Sequence, residues 1–305
     1  MRVTVVGSGP LGQFFAVHAS WGGADVSMFT RRDDVTGEHT IRSRSMPFGK
    51  ERHTRLQRVT DLNAAEAVIV AVRSEQMASV MAQLEASATR VVLVFTPLMQ
   101  PELAELQLRF PNLRVGMPVL AAEVQEGVLR YWQAPSTLVQ AHPDPDLRAL
   151  VTCLRAGGVW VRTLPDVVER SSATTTAFFP MHLAIHACPE LRAWKRQPAL
   201  VQDLAAAMAM ARRLARKVGN VEPGVAALAW WLSKPWRIRL ACAVVPRLAP
   251  DLTSFVEQHF GAKLGQQHVK LAQDIARMAT NLRQPFALPP SLTNRLPGHV
   301  QIEAA

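Results

Sequence analysis

Tyrosine is almost missing from this chain: Tyr131 is the only one in 305 residues. Platforms that stack nucleic-acid bases use exposed aromatics freely. With no zinc-finger spacing and no interleaving of aromatic and basic residues, a nucleic-acid partner is not expected. Cysteine is scarce as well. Cys153, Cys188 and Cys242 are odd in number, far apart and set in apolar or helical surroundings. That excludes a disulfide framework and reads as reduced thiols in a cytoplasmic protein. Long apolar runs are lacking too. "VAALAWWL" (225–232) and "LACAVVP" (240–246) are far short of a membrane span and are parted by "SKPWRIR". The apolar residues 2 to 6 run straight into a glycine turn with no cleavage site, so no signal peptide is read there. The G-x-S-x-G elbow of serine hydrolases does not occur. Finally, acid is in short supply: 34 Lys and Arg face 24 Asp and Glu, a formal net charge of +10 that favours anionic ligands.

What is present describes an ordinary globular chain, 49% hydrophobic and 19% charged, long enough for two domains. From residue 1 to about 165, strand-like and helix-like pieces alternate. "RVTVVG", "ADVSMFT", "AVIVAV" (67–72), "RVVLVFT" (90–96) and "LRVGMPV" (113–119) read as strands of a parallel sheet. Helical pieces near 75–85 and 101–109 connect them. Residues 119–163 add edge strands and one helix. After "TLPDVVE" the period changes to helical, over 173–187, 199–218, 224–246 and 251–282. Pro165, Pro198, Pro223, Pro235 and Pro246 divide or bend these segments. The expected fold is α/β: a Rossmann-type parallel sheet over 1–165, followed by an all-helical domain over 166–305.

Within "VVGSGPLGQFF" (5–15), three glycines follow the first strand as G-x-G-x-x-G. Gly7 suits the tight turn, Gly9 lets the backbone approach a pyrophosphate, and Gly12 lets helix pack closely on strand. Pro10 starts the helix where no amide donor is needed. The free amides beyond it, from Leu11 onward, face the phosphates. The bland alternative is that the glycines serve only the turns of the sheet. After the second strand comes "FTRRDD". A site for NAD places an acid there, whereas Arg31 and Arg32 offer forked donors to the 2'-phosphate of NADP(H). Two solvated arginines are the other reading. Between this strand and the next clear one, "IRSRSMPFGKERHTRLQR" carries Arg42, Arg44, Lys50, Arg52, Arg55 and Arg58. An anion site and a solvated basic surface are equally open for that run.

The start "MRVTVVGSGPLGQFF", the arginine after the second strand, "VAVRSEQ" and the division into sheet and helices together resemble the ketopantoate reductase (2-dehydropantoate 2-reductase) family. The resemblance implies NADPH-dependent reduction of an α-keto acid in a cleft between the two domains. It also implies cofactor contacts from Val72, Arg73 (at the family's lysine position) and Gln76, and from Thr96 and Pro97 where the family has Asn-Gly. Thr96 offers one hydroxyl in place of an amide, and Pro97 has no backbone donor.

A second departure is larger. The family carries a catalytic lysine, then an asparagine, then Asn-Pro on the first helix of its second domain. Anchored on Pro180, "ERSSATTTAFFPMH" puts Ser171, Thr175 and Phe179 at those positions. A serine hydroxyl is a very poor acid at neutral pH, and Arg170, one residue away, does not readily release a proton. The family's third site falls loosely on "EQHFGAKLGQQHVKLAQD" (257–274), where Gln267 and His268 stand. His259, Lys263 and Gln267 are spaced for one helix face, which either grips an anion or is simply exposed. His182 and His186 have metal spacing, but "HLAIH" lacks the glutamate of hydrolytic zinc motifs and no third ligand is evident, so packing or cleft lining is favoured and no metal is expected. "AWWLSKPWRIR", with Trp230, Trp231 and Trp236, reads as core or dimer surface. Lys234, Arg237 and Arg239 beside it could border a bulky acidic substrate.

The leading reading is an NADP(H)-dependent oxidoreductase acting on an anionic carbonyl or imine substrate other than ketopantoate. Lys263, His259, His268 and His182, in that order, are the candidate proton donors, and a homodimer is compatible with the apolar helical half. The alternative is an NADP(H)-binding sensor or scaffold without turnover.

Overall fold

The computed structural model describes residues 1–30, 36–133, 136–259, 264–297 and 303–304. They form two compact units, one of Met1–Pro97 and Pro101–Val167, the other of Leu98–Gln100 and Val168–Ala305.

The first unit runs β1 (Arg2–Val6), α1 (Pro10–Trp21), β2 (Asp25–Phe29), β3 (Gly37–Ser45), β4 (Glu51–Val59), β5 (Ala67–Val70), α2 (Met77–Glu85), β6 (Val91–Val94), α3 (Gln100–Arg109), β7 (Leu113–Met117), β8 (Leu120–Gln125), β9 (Val128–Gln133), β10 (Thr137–Gln140), α4 (Pro145–Ala156) and β11 (Val161–Leu164). Its strands lie side by side in the order β11-β10-β7-β6-β5-β1-β2-β4-β3-β9-β8. The centre, β7 to β4, is parallel throughout. Every residue of β5 and β6 is buried, as central parallel strands covered on both faces must be. The chain lays β2 on one flank of β1 and returns to lay β5 on the other. The carboxyl ends of β1 and β5 therefore flank a topological switch point, where open α/β sheets take ligands. This is the Rossmann-like architecture read from the sequence.

Helix α1 holds the sheet through an almost wholly buried face. Phe15 stacks on Phe95, with ring centroids 3.9 Å apart, and Phe14 meets the edge of Tyr131 at 5.1 Å. The only tyrosine is thus a core residue. α1 and α4 touch backbone to backbone through Gly22 and Gly157. A Cβ on Gly157 would lie 1.7 Å from the His18 carbonyl oxygen, and one on Gly22 1.8 Å from that of Cys153.

The basic run after β2 is an antiparallel pair of nine-residue strands, β3 and β4. Charged residues occupy its exposed face: Arg42 bonds Glu51 at 2.8 Å and Arg55 lies 3.5 Å from Glu38. On the other face Arg52 stacks over Trp21 at 4.7 Å, and Arg58 bonds His39 at 3.0 Å. Of the two readings left open, the geometry fits a solvated, internally paired surface.

The second unit is built from α5 (Val167–Ala187), α6 (Pro198–Val218), α7 (Pro223–Leu232), α8 (Pro235–Leu248), α9 (Pro250–His259), α10 (Gly265–Asn281), β12 (Phe286–Ala287), α11 (Pro290–Thr293) and β13 (Glu303–Ala304). Prolines occupy the first positions of α6, α7 and α8, where the missing N–H is not needed. One correction concerns 251–282, expected as a single helix. It is two, α9 ending at His259 and α10 beginning at Gly265, so His259 and Gln267 share no continuous helix face. No helix among the described residues is long and apolar enough to cross a membrane.

Candidate functional site

The turn after β1 is built by its three glycines in three different ways. Gly7 has φ +127°, which side-chain-bearing residues rarely adopt, and a Cβ there would stand 2.3 Å from the Ala71 carbonyl oxygen at the end of β5. Gly12 is buried, and a Cβ on it would lie 1.8 Å from the Gly7 carbonyl oxygen. Gly9 differs from both. Its backbone is extended (φ −70°, ψ 174°), it is exposed, and a Cβ there would meet nothing within 4 Å. Gly9 is also the N-cap of α1, with no side chain capping the helix. Gln13 returns its amide to the Gly9 carbonyl at 2.9 Å and its side chain to the Ser8 carbonyl at 2.9 Å, which fixes the turn. Open space thus lies directly over a helix start whose next residue, Pro10, leaves Leu11 and Gly12 to supply the first amides. A pyrophosphate fits this seat: the dipole favours negative charge, and no atom of the described residues lies within 4 Å of a Cβ built on Gly9.

The ends of β5 and β6 complete that edge. Thr96 is buried and donates its hydroxyl proton to the Val72 carbonyl at 2.9 Å, tying the two strand ends together. Arg73 and Gln76 are exposed. The Gln76 side-chain oxygen accepts the Arg73 backbone N–H at 3.3 Å, and the Arg73 guanidinium lies 3.9 Å from Glu75. Pro97 is half-buried at the end of the first unit. Arg31, Arg32 and Lys263 lie outside the described residues, as does the side chain of His259.

In the helical unit, Ser171, Thr175 and Phe179 all fall within α5. Ser171 and Phe179 are buried. The His182/His186 pair on α5 gains a neighbour that spacing could not show. His268 of α10 lies 6.1 Å from His182 and 5.4 Å from His186 between ring centroids, with Phe179 at 6.4 Å. His186 bonds the Arg295 carbonyl at 3.0 Å, while neither ring nitrogen of His268 finds a protein partner among the described residues. Burial, reinforced by His182 and His186, pushes the His268 pKa down to about 3, so its ring is neutral. Among the described residues no three His, Cys, Asp or Glu side chains are placed to hold a metal. Trp230 and Trp236 are exposed, not core, and hold the Arg237 guanidinium between them at 4.4 and 5.2 Å.

A second buried histidine, His18, donates its Nδ1–H to the Gly157 carbonyl at 2.7 Å, and burial lowers its pKa to about 4. Both His18 and His268 are neutral in the folded protein, whereas in the unfolded chain each takes a proton near its ordinary 6.5. The unfolded state therefore binds more protons below pH 6.5. Stability is full above that pH and falls as pH drops toward 4 for His18 and toward 3 for His268. For His18 alone the loss amounts to roughly 3 kcal/mol. Urea melts across this range should show it, and a His18→Asn variant should flatten part of the slope. An unchanged midpoint between neutral pH and pH 4 would contradict it.

The sheet, its switch point and the glycine turn define a Rossmann-like fold class with a helical second unit. Among solved structures the chain is similar to dimeric ketopantoate reductase from Staphylococcus aureus (12% identity, TM-score 0.65, covering 97% of this chain and 96% of that one). It is similar to the PanE/ApbA family ketopantoate reductase from Ralstonia eutropha JMP134 (18%, 0.65, 97% and 96%). It is also similar to D-mandelate dehydrogenase, solved with NADH and anilino(oxo)acetate (15%, 0.66, 98% of both chains). The fold is that of ketopantoate reductase-like proteins. No family model matches the chain, and no curated protein matches it.

Proposed function

We propose that this chain binds NADP(H) at the Gly7–Gly12 turn and works as an oxidoreductase on an anionic carbonyl or imine substrate other than ketopantoate. The observation that carries the reading is Gly9: an N-cap without a side chain, under open space, on a helix that begins at the sheet's switch point. Gly7, Gly9, Pro10, Leu11 and Gly12 would hold the pyrophosphate, and Arg31 with Arg32 the 2'-phosphate. Val72, Arg73, Gln76, Thr96 and Pro97 would border the nicotinamide side. Bound there, the nicotinamide supplies or accepts a hydride.

This chain's own residues must place the substrate and deliver a proton to its oxygen or nitrogen. Ser171 does not replace the lysine of the resembled family in that task. Lys263, His259, His268 and His182 remain the candidates. His268 would act as a neutral ring, offering an N–H and not an imidazolium. An imine, which can reach the site already protonated, relaxes the demand for a strong acid.

A sensor or scaffold without turnover is the second reading. It is favoured by Thr96, whose hydroxyl proton is committed to Val72, and by the burial of Ser171. One experiment addresses both. NADPH oxidation is followed over α-keto acids, lactones and cyclic imines, alongside NADPH and NADH binding to the parent and to Arg31→Asp. Turnover of any of these supports the enzyme; NADPH binding without turnover supports the sensor. Arg31→Asp should weaken NADPH by about 30-fold or more and NADH little, since a charge-assisted bond to phosphate is lost and an acid is gained. Equal loss for both would remove the NADP(H) assignment.

A further inference from the structure

Arg192, Lys195, Arg196 and Arg247 converge on a cavity of about 270 Å³ in the helical unit, and no acid among the described residues lines it. Three of them come from a short 3-10 turn, Leu191–Arg196, and the fourth from the last turn of α8. In such a turn residues three apart eclipse, which puts Lys195 and Arg192 on one face of it. Trp194 pins the turn: it is fully buried and its indole N–H donates to the Cys188 carbonyl at 2.8 Å. The first amide of the turn, from Leu191, donates to the Glu257 carboxylate at 2.8 Å. Arg192 donates to the Pro246 carbonyl at 3.1 Å, and Arg247 to the Ala243 carbonyl, so both guanidiniums are held by backbone acceptors at the cavity's edge.

Several surface arginines elsewhere are paired with acids: Arg42 with Glu51, Arg55 with Glu38, Arg109 with Glu85, and Arg90 with both Glu66 and Asp146. None of the four cations at this cavity is paired with a carboxylate among the described residues. Unpaired cations that line one cavity repel one another, the more so the closer they stand. An anion in the middle reverses the sign of each of those interactions. Two guanidiniums and an ammonium on a pinned backbone match the forked and point-charge donors that phosphate oxygens take up.

We propose that this cavity is a second anion site, separate from the glycine turn, and that it takes a phosphate-bearing group of two or more negative charges. Its size suits a phosphomonoester or pyrophosphate group and not a whole dinucleotide. A soluble phosphorylated compound and a phospholipid headgroup offer the same chemistry, and the test separates them.

Pyrophosphate is titrated calorimetrically at low salt into the full chain carrying Gly9→Asp, which closes the glycine turn to anions. Binding should persist there and weaken about tenfold or more on adding Arg192→Gln with Arg247→Gln, because charge-assisted bonds are lost. Thermal melts check folding. Lys195→Gln with Arg196→Gln, both on exposed side chains, serves where the arginine pair does not fold. A parallel arm measures flotation with phosphatidylcholine vesicles, with and without phosphatidic acid. Pyrophosphate binding lost in the variants supports a soluble ligand. Charge-dependent flotation lost in the variants, without pyrophosphate binding, supports a headgroup. Binding that is indifferent to both pairs of substitutions, or no binding in either arm, overturns the site. None of these outcomes depends on the glycine turn holding a nucleotide.

Discussion

Gly9→Asp should leave the fold at least as stable as the parent and weaken NADPH binding by about 100-fold. The two halves of this expectation have separate physical grounds. Gly9 has an extended backbone and nothing within 4 Å of an added Cβ, so a side chain brings neither strain nor overlap. Aspartate is among the best N-caps, and α1 has no side-chain cap, so the helix gains about a few tenths of a kcal/mol over the glycine cap. The same carboxylate then stands where a pyrophosphate would lie. Two unit charges about 5 Å apart at an effective dielectric constant of about 20 repel by about 3 kcal/mol, which is roughly two orders of magnitude in affinity. Gly9→Ala, neutral and small, should show a lesser loss at unchanged stability. Thermal melts and a nucleotide titration on the same samples read both halves. Undiminished NADPH binding by a folded Gly9→Asp chain would take the nucleotide away from this turn.

Three residues on, the balance is inverted. Gly12→Ala should destabilise the first unit by several kcal/mol, with nucleotide binding lost as a consequence of unfolding. The added Cβ would sit 1.8 Å from the Gly7 carbonyl oxygen, far inside van der Waals contact. Neither partner can move cheaply. Gly7 is wedged against the Ala71 carbonyl at the end of β5, and the buried residues Phe14 and Phe15 hold α1 on the sheet. Overpacking in a core ordinarily costs about 1–3 kcal/mol, and backbone displaced against backbone lies at or beyond the upper end of that range. Circular dichroism melts should show a large fall in midpoint for Gly12→Ala and none for Gly9→Ala. Equal midpoints would mean that helix and strand are not packed as described.

The glycine turn shows how far sequence reading reaches. The G-x-G-x-x-G spacing, after an apolar run and before a proline-led helix, was enough to place the tight turn at Gly7 and the close helix–strand packing at Gly12. The β-branched runs that became β1, β5 and β6 were legible for a similar reason, since a strand buried on both faces needs no polar alternation. The prolines that open α6, α7 and α8 were legible because a missing N–H is harmless only at a helix start.

Other features had no local signal. β3 and β4 hid inside a run of arginines, because their exposed face is charged and their inner face includes Ser43 and Thr54, so neither face looks apolar. The division between α9 and α10 broke a helix face that residue spacing alone had drawn through His259, Lys263 and Gln267. His268 joined His182 and His186 from a helix more than eighty positions downstream. Arg247 reached the cluster of Arg192, Lys195 and Arg196 across more than fifty positions.

By itself the sequence determined part of the backbone: which apolar runs form buried strands, where the proline-led helices begin, and that a glycine turn precedes the first helix. These follow from steric preferences of a residue and its immediate neighbours. Only the tertiary structure decided which distant side chains share one space, and with that the neutral histidines and the cavity of unpaired cations. Charge and burial act between groups that folding brings together, so their effects belong to the assembled chain and not to any stretch of it.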